Sequence, residues 1–506
     1  TIEENPYILI DLTVRVNFAQ IDQIAIKMGM DLENDKRIRS GIKYALKLST
    51  NNGHCAVLYE NLIQFVKDLL NVSEVMIENN IIFLKTKNEI VLEDRKNQEW
   101  VYLYNYYVAE KNVAESLIAL DNYLNVKEIS NFEKKLKKIE KHSDLELSEK
   151  QREAVIAVQE HNVCVITGGP GTGKTTIIKT IIEMYKQEEK KVVLCAPTGR
   201  ATKRMSEATG EEAKTLHRLL EIGKTSSDEL QNIDPNVEVA PLDADVIIVD
   251  EVSMVDIFLM NYLLQAIYKG TKLVLVGDSN QLPSVGPGNV LKDIIQSERL
   301  TTITLNKIFR QAAKSKIILN SHKVNEGISI FSKDEQNENE ELLEDFFFIN
   351  ETNKLKVLEN IISLCTGRLE KYGNYTFAQN IQVISPTKKG ELGTKELNKS
   401  LQQAINPESE EKNERKYIDS VFREGDRIMQ IKNNYDIYWE KREPTLEMGK
   451  GVFNGEYGTI LNIDEVEKKV KIKFDDDKLV WYNFDELEQI EHSYCITVHK
   501  AQRKRI

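Results

Sequence analysis

The chain has 506 residues, 41% hydrophobic and 29% charged, with a formal net charge of −12; this is globular material, long enough for roughly three or four domains. The acidic balance excludes a coat protein that holds nucleic acid by overall charge, though not a local basic channel, and no apolar run approaches the roughly 20 residues of a membrane span. Five scattered cysteines, Cys55, Cys164, Cys195, Cys365 and Cys495, form no C-x-x-C pair, so they read as reduced thiols rather than zinc ligands or disulfides.

The start, Thr-Ile-Glu-Glu-Asn-Pro, has no basic-then-apolar leader pattern, and its first residue is Thr rather than Met. The expectation is a fragment of a cytoplasmic protein with no membrane contact. Much of the acidic excess sits in two runs, Lys333 to Asp345 and Glu408 to Glu414, which read as solvated surface insertions.

From Ile8 to about Val72 apolar residues recur at three and four spacings, as in IDQIAIKMGM and YENLIQFVKDLL, which predicts short helices with a turn at Asn51-Asn52-Gly53. The segment Val75 to Asp94 alternates like strands, Tyr102 to Leu124 returns to helix, and Lys134 to His142 is charged and nearly featureless. A domain boundary is expected near residue 143. Beyond it lie four apolar strands, Val163–Thr167, Val192–Ala196, Val246–Asp250 and Leu273–Gly277. Runs of this kind, alternating with helical patterns, belong to a parallel sheet buried on both faces. A second αβ region starts near Ile308, with strands at Ile381–Ser385 and Tyr494–Val498, and between these the short glycine-punctuated strands of 426–484 suggest a small β-barrel. No internal repeat and no nuclease constellation is evident.

Chemistry enters at Gly168, Gly169, Pro170, Gly171, Thr172, Gly173, Lys174, Thr175 and Thr176, which match G-x-x-x-x-G-K-[ST] between a strand and the helical run Thr175 to Tyr185. Glycines let successive N–H groups point at phosphate oxygens, and the helix behind adds its positive end. Lys174 then reaches the outer phosphates and Thr175 offers a hydroxyl to Mg²⁺. Downstream, the buried strand before Asp250-Glu251-Val-Ser-Met ends in an acidic pair. Asp250 is expected to hold the Mg²⁺ water shell and Glu251 to polarise the attacking water. Gln281, after the next strand, is placed to sense the γ-phosphate or orient water, since an amide both donates and accepts. The expected ligands are ATP and Mg²⁺, the latter on Thr175 and Asp250.

The ordered set GGPGTGKTT, APTGRATKRM (196–205), TLHRLL (215–220), DEVSM and GDSNQLPSVGPGNVL (277–291) resembles the RecD-like DNA helicases of superfamily 1. Islands in residues 6–125, such as Arg37-Ile-Arg-Ser-Gly-Ile-Lys-Tyr44, are similar to the standalone RecD type. The resemblance implies an α/β fold with two RecA-like parallel-sheet motor lobes, a small helical domain before them and an SH3-like barrel inserted in the second lobe. The implied division is 1–75 helical (helix-hairpin-helix-like), 76–143 an α+β connection, 144–305 lobe 1, 306–425 lobe 2, 426–484 the SH3-like insertion, and 485–506 an incomplete remainder of lobe 2. It also implies that Gln151 meets the adenine and that Arg310 reaches the γ-phosphate, where a guanidinium would stabilise developing charge. Thr198, Arg200, Lys203 and His217 in lobe 1, with Thr387, Thr497 and His499 in lobe 2, lie in segments resembling the family's strand-contacting elements. The implied activity is ATP-driven 5′-to-3′ movement on single-stranded DNA and at duplex junctions, in DNA repair and recombination, by a monomer whose protein partners the sequence does not name.

Two departures from the family bear on that reading. After Gln502 the family continues Gly-Ser-Glu-Phe toward a further strand, helix and arginine-bearing motif, whereas this chain reads Arg503-Lys504-Arg505-Ile506. A single base inserted after the Gln codon produces that tetrapeptide, so a frameshift is the expectation and a basic tail for DNA phosphates the alternative. The glycine-bearing hairpin expected between Leu12 and Asp22 is replaced by Thr13-Val-Arg-Val-Asn-Phe-Ala-Gln, without the glycines that a backbone grip on phosphate uses. A hydrolysis-defective DNA-binding derivative and an RNA-directed helicase therefore stand as alternatives.

Overall fold

In the computed structural model, the described residues are 5–12, 17–123, 132–142, 146–222, 235, 237–309, 314–331, 343–373, 375–377, 380–442 and 446–502. The chain divides into two compact units, 1–346 and 347–506.

The first unit opens with α1 (Ile8–Leu12), α2 (Phe18–Lys27), α3 (Asp35–Asn51), β1 (Ala56–Leu58), α4 (Tyr59–Leu70) and α5 (Glu74–Thr86). Asn17 and Asn34 cap α2 and α3 by accepting backbone N–H groups at 3.1 and 2.8 Å. Ile38, Ile42, Leu46, Leu62, Val66, Ile77 and Ile81 face one another in its core. The strand expectation for Val75 to Asp94 is corrected here: its first part is α5. Ile77, Ile81 and Leu84 fall on one buried helical face, and Asn80 on that helix accepts from Arg39 Nε and donates to Asp35. Only β2 (Ile90–Arg95) of that stretch is extended, in an antiparallel sheet ordered β1, β3 (Gln98–Leu103), β2.

Helix α6 (Tyr104–Asp121) packs on the later helix at Ile257–Gln265, with the Tyr106 and Phe258 rings 4.9 Å apart edge to face. The charged run before residue 143 is also corrected: Phe132–His142 is α7, an amphipathic helix whose Leu136 and Ile139 enter the core. Then come α8 (Glu149–Glu160), β4 (Val163–Gly168), α9 (Lys174–Lys186), β5 (Val192–Ala196), α10 (Gly199–Thr209), β6 (Ala213–Thr215), α11 (Leu216–Leu219), β7 (Val246–Val249), α12 (Ile257–Gln265), β8 (Lys272–Gly277), α13 (Val290–Ser297), β9 (Thr301–Leu305) and α14 (Lys316–Asn325).

The expected parallel α/β sheet is present, with six strands in the order β6-β5-β7-β8-β4-β9 and every pairing parallel. Alternation along each strand divides its side chains between two cores. Val163, Val165, Ile247, Val249, Leu273 and Leu275 face one side, and Cys164, Ile166, Val246, Ile248, Val274 and Val276 the other. Burial on both faces is why these strands read as continuous apolar runs. The short edge strands β6 and β9 were not among the expected four.

In the second unit, α15 (Lys354–Ser363) precedes β10 (Val383–Ser385), α16 (Thr394–Ile405), β11 (Glu414–Tyr417) and β12 (Ser420–Arg423). There follow β13 (Arg427–Gln430), β14 (Asn434–Lys441), β15 (Glu447–Val452), β16 (Tyr457–Asp464), β17 (Lys469–Phe474), β18 (Leu479–Asn483), β19 (Ile490–His492), β20 (Cys495–Thr497) and α17 (Val498–Gln502). Strands β13 to β19 form one seven-stranded antiparallel sheet. In sequence it lies between β10 and β20, which pair in parallel. The strand pattern read over 426–484 thus continues to His492. Asp426, fully buried, holds the junction of this sheet with α16: it accepts hydrogen bonds from Gln402, Asn406 and Tyr494 at 2.6, 2.7 and 2.9 Å.

Candidate functional site

All six strands of the parallel sheet point the same way, so their carboxyl ends make one edge. In sheet order that edge carries the segment of His217 after β6, Thr198 after β5, Asp250 after β7, Asp278 to Gln281 after β8, the glycine loop after β4, and the 306–309 segment after β9. Open α/β sheets bind ligands at this edge.

The loop between β4 and α9 is built by its sequence. Gly171 and Gly173 have φ of 76° and 84°, a region closed to most side chains. Thr172 Oγ1 donates to Gly169 O at 2.8 Å, and Phe309 N donates to Gly171 O at 3.2 Å. Lys174 Nζ donates to the Gly168 and Gly169 carbonyls at 2.6 and 3.1 Å, while Thr175 is exposed and Thr176 half-buried in the first turn of α9.

Gln151 is not an exposed helix-start residue; it is 1% exposed. It closes a capping box with Ser148, accepting from Ser148 N at 2.9 Å, and its Nε2 donates to Thr172 O at 3.4 Å. A Cβ at Gly173 would run into that Nε2.

Asp250 and Glu251 are half-buried. Asp250 Oδ1 accepts from Glu251 N at 2.9 Å, and Glu251 takes left-handed angles, φ 55°. Burial pushes both carboxyl pKa values up, and the Asp250 charge adds to the rise at Glu251. The positive charges of Lys174 and Arg204 pull both back. Gln281 is exposed on the turn that buried Asp278 orders by accepting from Asn280 N at 3.0 Å. That turn is tied to β4, since Ser279 N donates to Thr167 Oγ1 at 3.3 Å.

Of the expected strand contacts in this unit, Thr198 caps α10 by accepting from Ala201 N at 3.2 Å, and Arg200 and Lys203 are exposed on that helix. His217 is half-buried, and its charge pulls down the carboxyl of Asp256, which burial first pushes up. In the second unit, β10 and β20 pair Ser385 with Thr497, which sets Thr387 and His499 just beyond adjacent parallel strand ends. Thr387 and His499 are exposed, whereas Thr497 is buried and accepts from Lys500 N at 3.3 Å. Arg310, the 13–16 part of the region expected as scaffold, and the 503–506 tail lie outside the described residues.

Two residues at the loop were not expected there. Arg204, inside the 196–205 segment but given no role there, lends its charge to both carboxylates, and His322 of α14 lies against Gly169. Neither belongs to a phosphate-binding motif, so no spacing in the sequence pointed to the loop.

The residues fit a nucleotide with Mg²⁺. Gly171 and Gly173 take the left-handed angles that a tight phosphate-binding loop uses, and Thr175 and Asp250 offer the hard oxygen donors that this ion prefers. Among the described residues no three His, Cys, Asp or Glu side chains gather as a metal cage; Mg²⁺ commonly takes one or two carboxylates and completes its shell with water and phosphate.

Comparison with known proteins agrees with this geometry. Residues 151–287 match the family model of an AAA domain, 397–474 that of the SH3 domain of ATP-dependent RecD-like DNA helicases, and 1–56 that of the HHH domain of ATP-dependent RecD2 DNA helicases. The chain is 33% identical to the ATP-dependent RecD2 DNA helicase of Deinococcus radiodurans over 70% of its own length and 44% of that protein's. It is 27% identical to an uncharacterized protein of Methanocaldococcus jannaschii over 99% of its own length and 50% of that protein's. The chain thus spans about half the length of these two relatives. To the RecBCD enzyme subunit RecD of Buchnera aphidicola subsp. Schizaphis graminum it is 30% identical over 79% of its own length and 73% of that protein's. With three family models in order along its length and a RecD subunit matched over most of both sequences, the chain belongs to the RecD-like DNA helicase family.

Proposed function

We propose that the chain is an ATP-dependent DNA helicase that moves 5′-to-3′ on single-stranded DNA, in DNA recombination or repair. The observation that carries the reading is the order of motifs along one sheet edge. The nucleotide loop lies toward one end of it, the proposed strand contacts at Thr198 and His217 at the other, and the acidic pair between them, on the strand beside that of Thr198. A shift of one group of loops on ATP turnover is then felt through adjacent parallel strands by the other.

In this reading the amides of Gly169 and of Gly171 to Gly173 hold the phosphates, Pro170 having no N–H to give, and Lys174 exchanges its loop carbonyls for the outer phosphate oxygens. Thr175 and Asp250 hold Mg²⁺, which neutralises charge developing on the phosphates when bound. Glu251 orients water and accepts its proton, Gln281 and Arg310 meet the γ-phosphate, and Gln151 the adenine. Thr198, Arg200, Lys203 and His217, with Thr387, Thr497 and His499 of the second unit, hold the DNA backbone and bases. The domain division given from sequence is proposed with it, and the absence of any described helix long and apolar enough to cross a membrane fits a cytoplasmic setting.

The test is ATP turnover with and without single-stranded DNA, with Lys174→Ala as control. Turnover stimulated by DNA, lost in the variant, and competed by single-stranded DNA better than by RNA is the expected result. A folded chain that binds DNA without stimulated turnover would instead be a hydrolysis-defective relative.

A further inference from the structure

One residue of α14, His322, lies against the glycine loop, and the motifs above leave this helix without a role. Ser315 caps this helix: its Oγ accepts from Ile318 N at 3.3 Å and donates to Asp345 at 2.5 Å. No residue of α14 is fully buried. One atom of it is nevertheless shut off from solvent, His322 Nε2, and it has no hydrogen-bond partner among the described residues.

That nitrogen sits at the loop. A Cβ at Gly169 would lie 2.8 Å from His322 Cε1 and 3.3 Å from Nε2, so glycine is what lets the imidazole approach. The carbonyl of the same residue accepts from Lys174 Nζ at 3.1 Å. Imidazole and ammonium thus flank one residue at the start of the loop. Because this lysine is the group that reaches the β- and γ-phosphates, the buried nitrogen lies at the outer-phosphate end. A buried ring nitrogen without a partner is costly, and phosphate oxygens, which only accept, would satisfy Nε2–H with a charge-assisted bond.

We propose that His322 is a phosphate ligand of the nucleotide site, donating from Nε2 to a γ-phosphate oxygen and so making the seating of α14 depend on whether a triphosphate or a diphosphate is bound. This rests on the reading of the loop as an ATP site.

Equilibrium binding of a non-hydrolysable ATP analogue and of ADP to the wild-type chain, His322→Ala and His322→Gln tests it. The expected result is a roughly tenfold or greater loss of analogue affinity in His322→Ala, a much smaller change for ADP, and recovery in His322→Gln, which keeps an N–H donor. An unchanged ratio of analogue to ADP affinity in His322→Ala, or equal losses for both nucleotides in both variants, overturns the proposal and leaves a packing role. Wild-type chain that binds neither nucleotide overturns the ATP-site reading and this inference with it. Should the alanine variant not fold, ¹⁵N-histidine spectra of the wild-type chain decide: a His322 Nε2 resonance that moves with the analogue and not with ADP supports the contact, and one that moves with neither overturns it.

Discussion

The side chain of Gln151 joins a helix cap to the phosphate loop: its Oε1 accepts from Ser148 N at 2.9 Å while its Nε2 donates to Thr172 O at 3.4 Å. The chain entering lobe 1 and the loop that would hold the phosphates are therefore set by one amide.

Replacing Gln151 by Ala removes both bonds. The expected cost is about 0.5–2 kcal/mol of stability, the usual range for a lost cap, together with weaker ATP binding and a smaller preference for ATP over GTP. Denaturant melts and nucleotide titrations of the variant check the two effects separately. A loss of stability with the ATP preference intact would make Gln151 a cap and nothing more.

Glu251→Gln keeps the shape and removes the base. ATP binding is expected to survive while turnover falls roughly 10²–10⁴-fold, the span of general-base contributions. The pH dependence has a definite sign: the ionised carboxylates are the working forms, and burial raises their pKa values. The acid limb of kcat/KM therefore lies above the ordinary carboxylate range near about 4, with turnover rising as pH rises through it. Arg204→Ala removes one of the charges that opposes this rise, so the limb should move further toward alkaline pH, and Arg204→Lys should hold it in place.

In the first helical domain Arg37 Nε and Nη2 both donate to Asp22 at 2.8 Å, and Tyr7 Oη donates to the same carboxylate at 2.5 Å. Burial pushes the Asp22 pKa up, but the bonds from Arg37 and Tyr7 outweigh it and the net shift is downward. A depressed aspartate stabilises the fold fully above its unfolded value of about 3.9, and this is lost as pH falls through the lower folded value. Arg37→Ala should cost roughly 3–5 kcal/mol at neutral pH, as for one half of a buried pair, and less in acid, where Asp22 is protonated. Urea melts at both pH values read this directly.

Much of the architecture was legible because the physics is local. Val246–Val249 and Lys272–Gly277 are buried on both faces and so read as apolar runs, and the glycines of the loop are fixed by their positive φ. What failed was periodicity under misleading composition. Val75 to Thr86 is rich in Ile, Val and Phe, which favour strands, yet Ile77, Ile81 and Leu84 share a helical face. In α7 the three apolar residues Phe132, Leu136 and Ile139 stand at helical spacing, but the lysines between them hid the stripe. Long-range placement was not legible in the residues themselves: only the family resemblance put Gln151 at the nucleotide, and nothing in the sequence put His322 of α14 against Gly169.

The proposed conversion of ATP turnover into 5′-to-3′ movement on single-stranded DNA is open to a direct measurement. The measurement is unwinding of two otherwise equal duplexes, one with a 5′ and one with a 3′ single-stranded tail, in the presence of ATP and Mg²⁺. Displacement from the 5′-tailed duplex alone, absent in Lys174→Ala, is the predicted result; displacement from the 3′-tailed duplex, or equal displacement by Lys174→Ala, would contradict it.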